Sequence, residues 1–447
     1  MAKKKMTFEE KLEEAIVKDA PYEVPDNWIW SNVGSISLEI KNGTTIKQNK
    51  DEIGIKVTRI ESLQNNGIDL NRLGTIIETE KIKEQDYYID GDIALSHINS
   101  LEHVGKTALI DNSLLPLVHG MNLLRIRVNK RMILPKYFQL YTRGYDYKKF
   151  VVDRVNRAVN QVSLNQKNLS DVPMPIPPLK EQQRIVDKIE SLFEKLDKAK
   201  ELIEEVRDDF EKRKSAILEK AFRGELTKAW RSNNLVDYNS TWTKHVFSNI
   251  AKVKSNLVQP QDFLKYPHIA PDNIEKKTGK LLAYRTIEED NVKSAKHRFY
   301  PGQIIYSKIR PYLSKVVIVD FEGLCSADMY PIETDLDTKY LYYYMLSDTF
   351  IDFASNSGSR SVLPKINQKE LGKINVPVCS INEQKEIVRI LDKLLEEEAK
   401  IDELTELEEQ IELIKKSILA KAFRGQLGTN SEDDESAIEL LKEILNK

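Results

Sequence analysis

A segment of about 45 residues occurs twice in this chain, and a duplication on that scale constrains the fold before anything else does. Glu181-Gln182-Gln183-Arg184-Ile185-Val186 matches Glu383-Gln384-Lys385-Glu386-Ile387-Val388 at an offset of 202. Further on, Leu218-Glu219-Lys220-Ala221-Phe222-Arg223-Gly224-Glu225-Leu226 matches Leu419-Ala420-Lys421-Ala422-Phe423-Arg424-Gly425-Gln426-Leu427. Fainter echoes lie upstream of each copy. Asn165-Gln166-Lys167-Asn168-Leu169 answers Asn367-Gln368-Lys369-Glu370-Leu371, Pro175 answers Pro377, and the run from Gly91 to Ser96 answers that from Gly302 to Ser307. Tyr137 answers Tyr340, and Trp28 answers Trp242. The layout is variable–repeat–variable–repeat.

Each repeat reads as a long helix. Pro173, Pro175, Pro177 and Pro178 stop just before Leu179, which suits a helix start. Ile185, Ile189, Leu192, Leu196, Ala199, Ile203, Val206 and Phe210 then recur at steps of four and three, the spacing of a coiled-coil seam. Gly224 is the expected stop. In the second copy Ile387, Leu391, Leu394 and Ile401 open the pattern and Leu407, Ile411, Ile414 and Ile418 close it. Glu397-Glu398 and a slip near Leu404 interrupt it. A helix of about 44 residues is roughly 66 Å long. Neither helix can bury its seam alone, so the two are expected to pack together.

The variable blocks read as mixed α/β. Ile93-Ala94-Leu95, Ile304-Ile305-Tyr306 and Val316-Val317-Ile318-Val319 are buried-strand candidates between turn residues. Short helices are expected at 137–141 and 340–346, with their tyrosines serving the core. The expected divisions are a charged helical extension at 1–20, a first variable domain at 21–178, a first repeat helix at 179–235, a second domain at 236–380, a second helix at 381–427 and an acidic tail at 428–447. The class is α+β: two α/β domains separated by two long helices.

A net charge of −2 hides a strong asymmetry. Residues 125–167 hold eleven basic side chains and two acidic ones, and residues 293–315 hold six basic and none acidic. From 381 to 447 the count is ten basic to eighteen acidic. Basic zones between acidic ones fit nucleic-acid binding better than the average charge does. Mean hydropathy is −0.47, and no apolar run approaches the ~18 residues of a membrane span. The basic start runs into Phe8-Glu9-Glu10-Lys11, unlike a signal peptide, and two cysteines give no disulfide framework, so a cytoplasmic location is expected.

Catalytic motifs are fragmentary. Gly105-Lys106-Thr107 ends like a phosphate-binding loop, but Ser100 stands where that loop needs glycine, so a strand-edge turn is the better reading. Asp272 and Glu275 are too closely spaced in loop-like sequence to read as a nuclease metal site, and the six histidines show no zinc spacing. Ile176 precedes Pro177-Pro178 where an adenine methyltransferase loop carries Asn or Asp. No metal, cofactor or catalytic residue is expected in this chain.

Taken with their order, Pro-Pro-Leu-Lys-Glu-Gln-Gln-Arg-Ile-Val and Ala-Phe-Arg-Gly-Glu-Leu in the first copy, and Glu-Gln-Lys-Glu-Ile-Val and Ala-Phe-Arg-Gly-Gln-Leu in the second, resemble the specificity subunit of a Type I restriction–modification system over about residues 21–427. Cys379-Ser380-Ile381 replaces the Pro-Pro-Leu of the first copy. The resemblance implies two target recognition domains, each reading one half of a bipartite, asymmetric double-stranded DNA site. It also implies that the two long helices form an antiparallel coiled-coil spacer in a pseudo-two-fold layout, which docks two methyltransferase subunits and two restriction subunits. Chemistry would belong to those partners, which would use S-adenosylmethionine, ATP and Mg. DNA-contact candidates in the first domain are Arg125, Arg127, Lys130, Arg131, Arg143, Lys148, Lys149, Arg154, Arg157, Asn160 and Gln161. In the second they are Lys293, Lys296, Arg298, Lys308, Arg310, Lys315, Arg360 and Lys365. A protein-only scaffold, which would show no salt-sensitive DNA affinity, is the alternative. A nucleotide hydrolase dependent on Lys106 is a further one.

Overall fold

A computed structural model describes residues 7–49, 53–64, 67–158, 161–356, 364–396 and 402–446. These fall into two compact units, Met1–Glu201 with Glu406–Lys447, and Leu202–Thr405, so each unit draws on both repeats.

In the first unit a four-stranded antiparallel sheet runs in the order Ser37–Asn42, Leu123–Val128, Ile93–Ser96, Thr107–Leu109. Pro135, with its φ already set for a helix, opens the helix Pro135–Tyr141. A separate antiparallel pair joins Ile29–Asn32 to Pro173–Ile176. The proline run is therefore a strand, not merely a helix stop. Proline is tolerated there because, among the described residues, the strand's other edge carries no partner that needs its missing N–H. The second unit repeats this plan. Its four-stranded sheet orders Ala251–Val253, Met329–Thr334, Ile304–Ser307 and Val316–Ile318, and Thr243–Val246 pairs with Asn375–Val378.

The faint sequence echoes turn out to be the joints of this repeated frame. Tyr137 and Tyr141 donate to the carbonyls of Pro175 and Pro173 at 3.0 and 2.7 Å. Tyr340 and Tyr344 do the same to Pro377 and Asn375 at 2.9 and 2.6 Å. These tyrosines are core residues, as expected. Phe423 meets Tyr137 and Tyr141 edge-on, and Phe222 meets Tyr340 and Tyr344 likewise. Burying each phenylalanine contributes about 1.5–3 kcal/mol. The end of the second repeat thus completes the first unit, and the end of the first repeat completes the second.

The Glu-Gln pair at the head of each repeat is fully enclosed. Trp28 donates its indole N–H to Glu181 at 2.7 Å, and Trp242 donates to Glu383 at 3.1 Å. Gln182 takes the Leu134 amide and gives its own amide to the Met132 and Pro177 carbonyls. Gln384 takes the Asp337 amide and donates to the Cys379 carbonyl. Asn165 and Asn367 both cap the short helices that follow them.

The first long helix spans Leu179–Phe222 and ends at Gly224, whose φ of +74° a side chain would rarely adopt. Helices Ile381–Glu396 and Asp402–Ala422 make up the second repeat, and residues 397–401, where the sequence breaks its heptad, lie outside the described residues. Within the first unit the two repeats run antiparallel: Lys415 pairs with Asp197 at 2.5 Å, while Arg184, earlier in its helix, reaches the later Thr429 carbonyl at 2.9 Å. The heptad reading needs correction in detail. Val206, Leu407 and Ile414 are more than 40% exposed, whereas Phe193, off the a/d count, is buried. The cause is that Ile185, Val186, Ile189 and Phe193 pack into one core with Tyr137, Tyr141, Leu419 and Phe423. A helix end that covers a domain buries a wider face than a two-in-seven seam.

The units differ away from the shared frame. The first carries a three-stranded sheet of Asn156–Ala158, Gln161–Ser163 and Ile98–Asn99. The second carries a five-stranded sheet, in the order Leu257–Val258, Lys296–Phe299, Gly323–Cys325, Pro267–Ile269, Arg285–Thr286.

Candidate nucleic-acid interface

Several of the expected DNA contacts in the first basic zone are held by partners within the protein, and Arg125 is buried outright. Arg125 and Arg127 share one face of the Leu123–Val128 strand, as their spacing predicts, but that face is covered. Arg125 is 1% exposed; it donates to the Gln85 and Tyr87 carbonyls at 3.0 and 2.8 Å and to Glu39 at 2.5 Å. Arg127 grips the fully buried Asp92 with two bonds of 2.7 and 2.8 Å. Arg125 is therefore a structural residue, because a charge enclosed with its counter-ions cannot meet a phosphate without unfolding its surroundings. Lys148 caps the Leu101, Glu102 and Val104 carbonyls, and Lys130 pairs with Asp90 at 3.2 Å. Arg143 lies over the Phe193 ring on the long helix, and Arg154 donates to the Phe150 carbonyl. Arg131, Lys149 and Arg157 are exposed and make no side-chain hydrogen bond or ion pair among the described residues.

The second zone sorts the same way. Arg298 pairs with Glu322 and is ringed by Phe263, Tyr266 and Tyr300 at 5.1 to 6.0 Å. Lys315 donates to the Pro271 carbonyl at 2.7 Å. Lys296 is buried against Ser294. Lys308 reaches the Ala327 carbonyl at 2.5 Å and lies over Tyr330, and Lys365 pairs with Asp328 at 2.9 Å. Burial pushes the Lys308 ammonium below the usual lysine range, and the Lys365 charge adds to that. Lys293 and Arg310 are exposed without such partners among the described residues. Asn160 and Arg360 lie outside the described residues.

Two of the exposed cations, Arg157 and Arg310, each mark a corner of their frame. In the first unit the chain leaving the central strand Ile93–Ser96 forms Ile98–Asn99, which pairs with Gln161–Ser163, which pairs with Asn156–Ala158. All three residues of Asn156–Ala158 face solvent, Arg157 among them, and Gln161 is exposed on the strand beside it. In the second unit the chain leaving Ile304–Ser307 bridges Ile309 to Lys365, just before the helix capped by Asn367. The equivalent corner there holds Lys308, Lys365 and Arg310, with Tyr312 46% exposed beside Arg310. Arg310 sits at φ +48°, a left-handed conformation that aims the chain into Pro311–Leu313. Sequence reading named these cations but missed the acids, Glu39, Asp92, Asp328 and Glu322, that select among them. Only Asp328 gave a local signal, as the lone acid between Cys325 and Tyr330.

Gly105, at φ +81°, turns the chain into the Thr107–Leu109 strand, so the Gly-Lys-Thr run is a strand-edge turn. Among the described residues no group of three His, Cys, Asp or Glu side chains could hold a metal ion, and no helix is long and apolar enough to cross a membrane.

An α/β frame built twice, each copy completed by parts of both repeats and carrying an unlike basic corner, defines a nucleic-acid recognition protein with two reading domains. The chain belongs to the family described as Type I restriction modification DNA specificity domain, whose pattern it matches twice, over residues 25–208 and 240–412. It is 41% identical over 285 residues to the Type I restriction enzyme EcoDI specificity subunit of Escherichia coli; the match takes in 59% of this chain and 64% of that relative, a little under two thirds of its length. It is 30% identical to the type I restriction enzyme MjaX specificity subunit of Methanocaldococcus jannaschii, over 93% of this chain and 97% of that one. Among solved structures, the HsdS subunit from Thermoanaerobacter tengcongensis shares the fold at a TM-score of 0.52 and 17% identity, over 92% of this chain and all of that one. A chain from a type I R-M system solved for its complex assembly matches at 0.67 and 16% identity, over 91% of this chain.

Proposed function

We propose that this chain is the DNA-reading, non-catalytic subunit of a Type I restriction–modification complex. Each recognition domain reads one half of a bipartite, asymmetric duplex target. The long helices fix the separation of the halves and dock two methyltransferase subunits, with two restriction subunits joining them. S-adenosylmethionine, ATP and Mg would serve those partners; no step of the chemistry falls to residues of this chain.

The observation that carries this reading is the contrast between frame and corner. The frame is duplicated down to single hydrogen bonds, as in the Trp28–Glu181 and Trp242–Glu383 pairs. The elements hung on it are unlike: an exposed hairpin with Arg157 and Gln161 in one unit, and a Lys308–Arg310–Lys365 corner in the other. A scaffold that bound only symmetric protein partners would have no reason to diversify the same corner twice. Two different readers on one frame suit two different half-sites. Exposed Arg and Lys supply phosphate attraction, while Gln161 and its neighbours in the hairpin are of the residue type that reads adenine edges.

Exchange of residues 236–380 for the corresponding block of a relative tests it. Methylome sequencing of cells carrying the hybrid, together with its cognate methyltransferase, should show one half of the modified motif changed and the other kept. A change in both halves, or in neither, defeats the modular reading.

A further inference from the structure

The two frames differ at one joint. In the first unit the strand Ile29–Asn32 is flanked on both edges. One edge holds Pro173–Ile176; along the other lies the N-terminal segment, bridging Ile16 to Ser31 and giving the Val17 amide to the Trp30 carbonyl at 3.0 Å. Ser31 and Asn32 add side-chain bonds to the Ala15 and Glu14 carbonyls at 2.7 and 3.1 Å. Tyr22 completes the cover. Its ring meets Trp30 edge-on at 4.7 Å and lies 4.4 Å from the Arg424 guanidinium, which Asp146 holds at 2.8 Å. Ile29, Trp30 and Ser31 are all buried as a result.

The equivalent strand of the second unit, Thr243–Val246, pairs with Asn375–Val378 in the same register, and among the described residues nothing lies along its other edge. Lys244 stands opposite Pro377 as Trp30 stands opposite Pro175. Proline offers no N–H across the ladder, so the backbone groups at these positions turn outward, as the Trp30 carbonyl does. Thr243, Lys244 and His245 are exposed. At the place that Tyr22 fills in the first unit, the second has a cavity of about 490 Å³ walled by Phe222, Trp242, Tyr344 and Phe353, with Arg223 and Lys244 also lining it. Arg223 is the counterpart of Arg424, yet its side chain is 68% exposed and among the described residues pairs with Glu219 alone, at 3.7 Å.

We propose that the open edge of Thr243–Val246 and the aromatic cavity beside it form a docking site for an extended, net-acidic segment of a partner protein. That segment adds as a third strand and places an aromatic side chain in the cavity. The first unit shows the kind of occupant the frame accepts, since the chain's own residues 13–24 make this cover there with four acidic side chains, one basic one and Tyr22. Charge agrees: Arg223 and Lys244 present cations where such a segment would lie. Strand addition supplies main-chain bonds, and the cavity supplies selectivity. The chain's own N-terminal segment is already engaged in the first unit, which leaves a different protein to supply this one. The site is separate from the DNA-facing corners, so its failure would leave the proposed DNA reading intact.

The probe is a fluorescent peptide of residues 13–24, titrated with the full chain in the absence of DNA and followed by anisotropy. Saturable binding is expected, weakened about ten-fold by Lys244→Pro in the chain, which removes one outward N–H, and by Tyr22→Ala in the peptide. The peptide change cannot disturb the fold of the chain, and an unchanged melting curve certifies the Lys244→Pro variant. No saturable binding at millimolar peptide, or equal binding to the Lys244→Pro variant, overturns the proposal. Self-association of the chain that Lys244→Pro abolishes would make the occupant a second copy and overturn the partner assignment.

Discussion

Glu383→Ala strikes the joint that ties the second recognition domain to its repeat helix. The Glu383 carboxylate is fully buried and accepts from the Thr227 hydroxyl at 2.6 Å, the Trp242 indole at 3.1 Å and the guanidinium of Arg231, itself only 8% exposed. A second Arg231 N–H goes to the Gly224 carbonyl at 2.6 Å, which anchors the end of the first repeat to the same point. Removing the carboxylate leaves an enclosed guanidinium without its counter-ion, a loss of about 3–5 kcal/mol. In a unit of roughly 200 residues each kcal/mol moves Tm by about 2–4 °C, so the second unit should melt roughly 6–20 °C earlier. Glu383→Leu combined with Arg231→Met removes both charges and should cost less than the sum of the single changes, with a coupling of about 1–3 kcal/mol. Differential scanning calorimetry of the full chain and of four variants, Glu383→Ala, Glu383→Leu, Arg231→Met and the double change, measures this. A shift of less than about 2 °C for Glu383→Ala, or strict additivity in the cycle, would refute the claim that this buried pair clamps domain to helix.

Arg157→Ala with Gln161→Ala should leave melting unchanged and weaken DNA binding, lowering the slope of log affinity against log salt by about 0.9 for each phosphate no longer neutralised; filter binding across a salt series that shows no change rules the hairpin out. Arg125→Ala should do the reverse, costing about 2–6 kcal/mol in stability by leaving the Gln85 and Tyr87 carbonyls without their donor, on the order of 1–3 kcal/mol for each unsatisfied group, as urea denaturation would show. Burial, aided by the nearby Arg125 charge, pushes His119 down to about 3, so it stays neutral when folded. Its unfolded form takes up a proton below about 6.5, so stability is held above that pH and lost as pH falls toward 3, by roughly 2 kcal/mol at pH 5; urea titrations at two pH values should show this loss in the parent chain and not in His119→Gln. Matched four-residue insertions near Val206 and Leu407 lengthen both repeats by about 6 Å and should widen the spacing between unchanged half-sites by one or two base pairs; a methylation-competent variant that keeps the original spacing removes the helices as the ruler.

The sequence by itself determined what depends on neighbours in the chain. Its repeated words marked the two helices and their glycine stops, since a left-handed residue after a helical run is a local requirement. The paired tyrosines announced a core helix in each unit, because helical spacing is written within four residues. Tertiary structure decided which charges are free. Arg125 and Arg157 look alike in a basic run, but Arg125 meets Glu39 from 86 residues away and is enclosed, while Arg157 sits on an exposed strand. Nothing local distinguishes them, because ion pairing depends on distance in space and on the solvent excluded around it. The open edge of Thr243–Val246 was equally unreadable: its twin strand is covered by a segment that begins 16 residues before it, and only folding reveals that the second copy has no such segment among the described residues. Local words set the frame that both units share; long-range burial and pairing set what each unit leaves exposed for DNA and for partners.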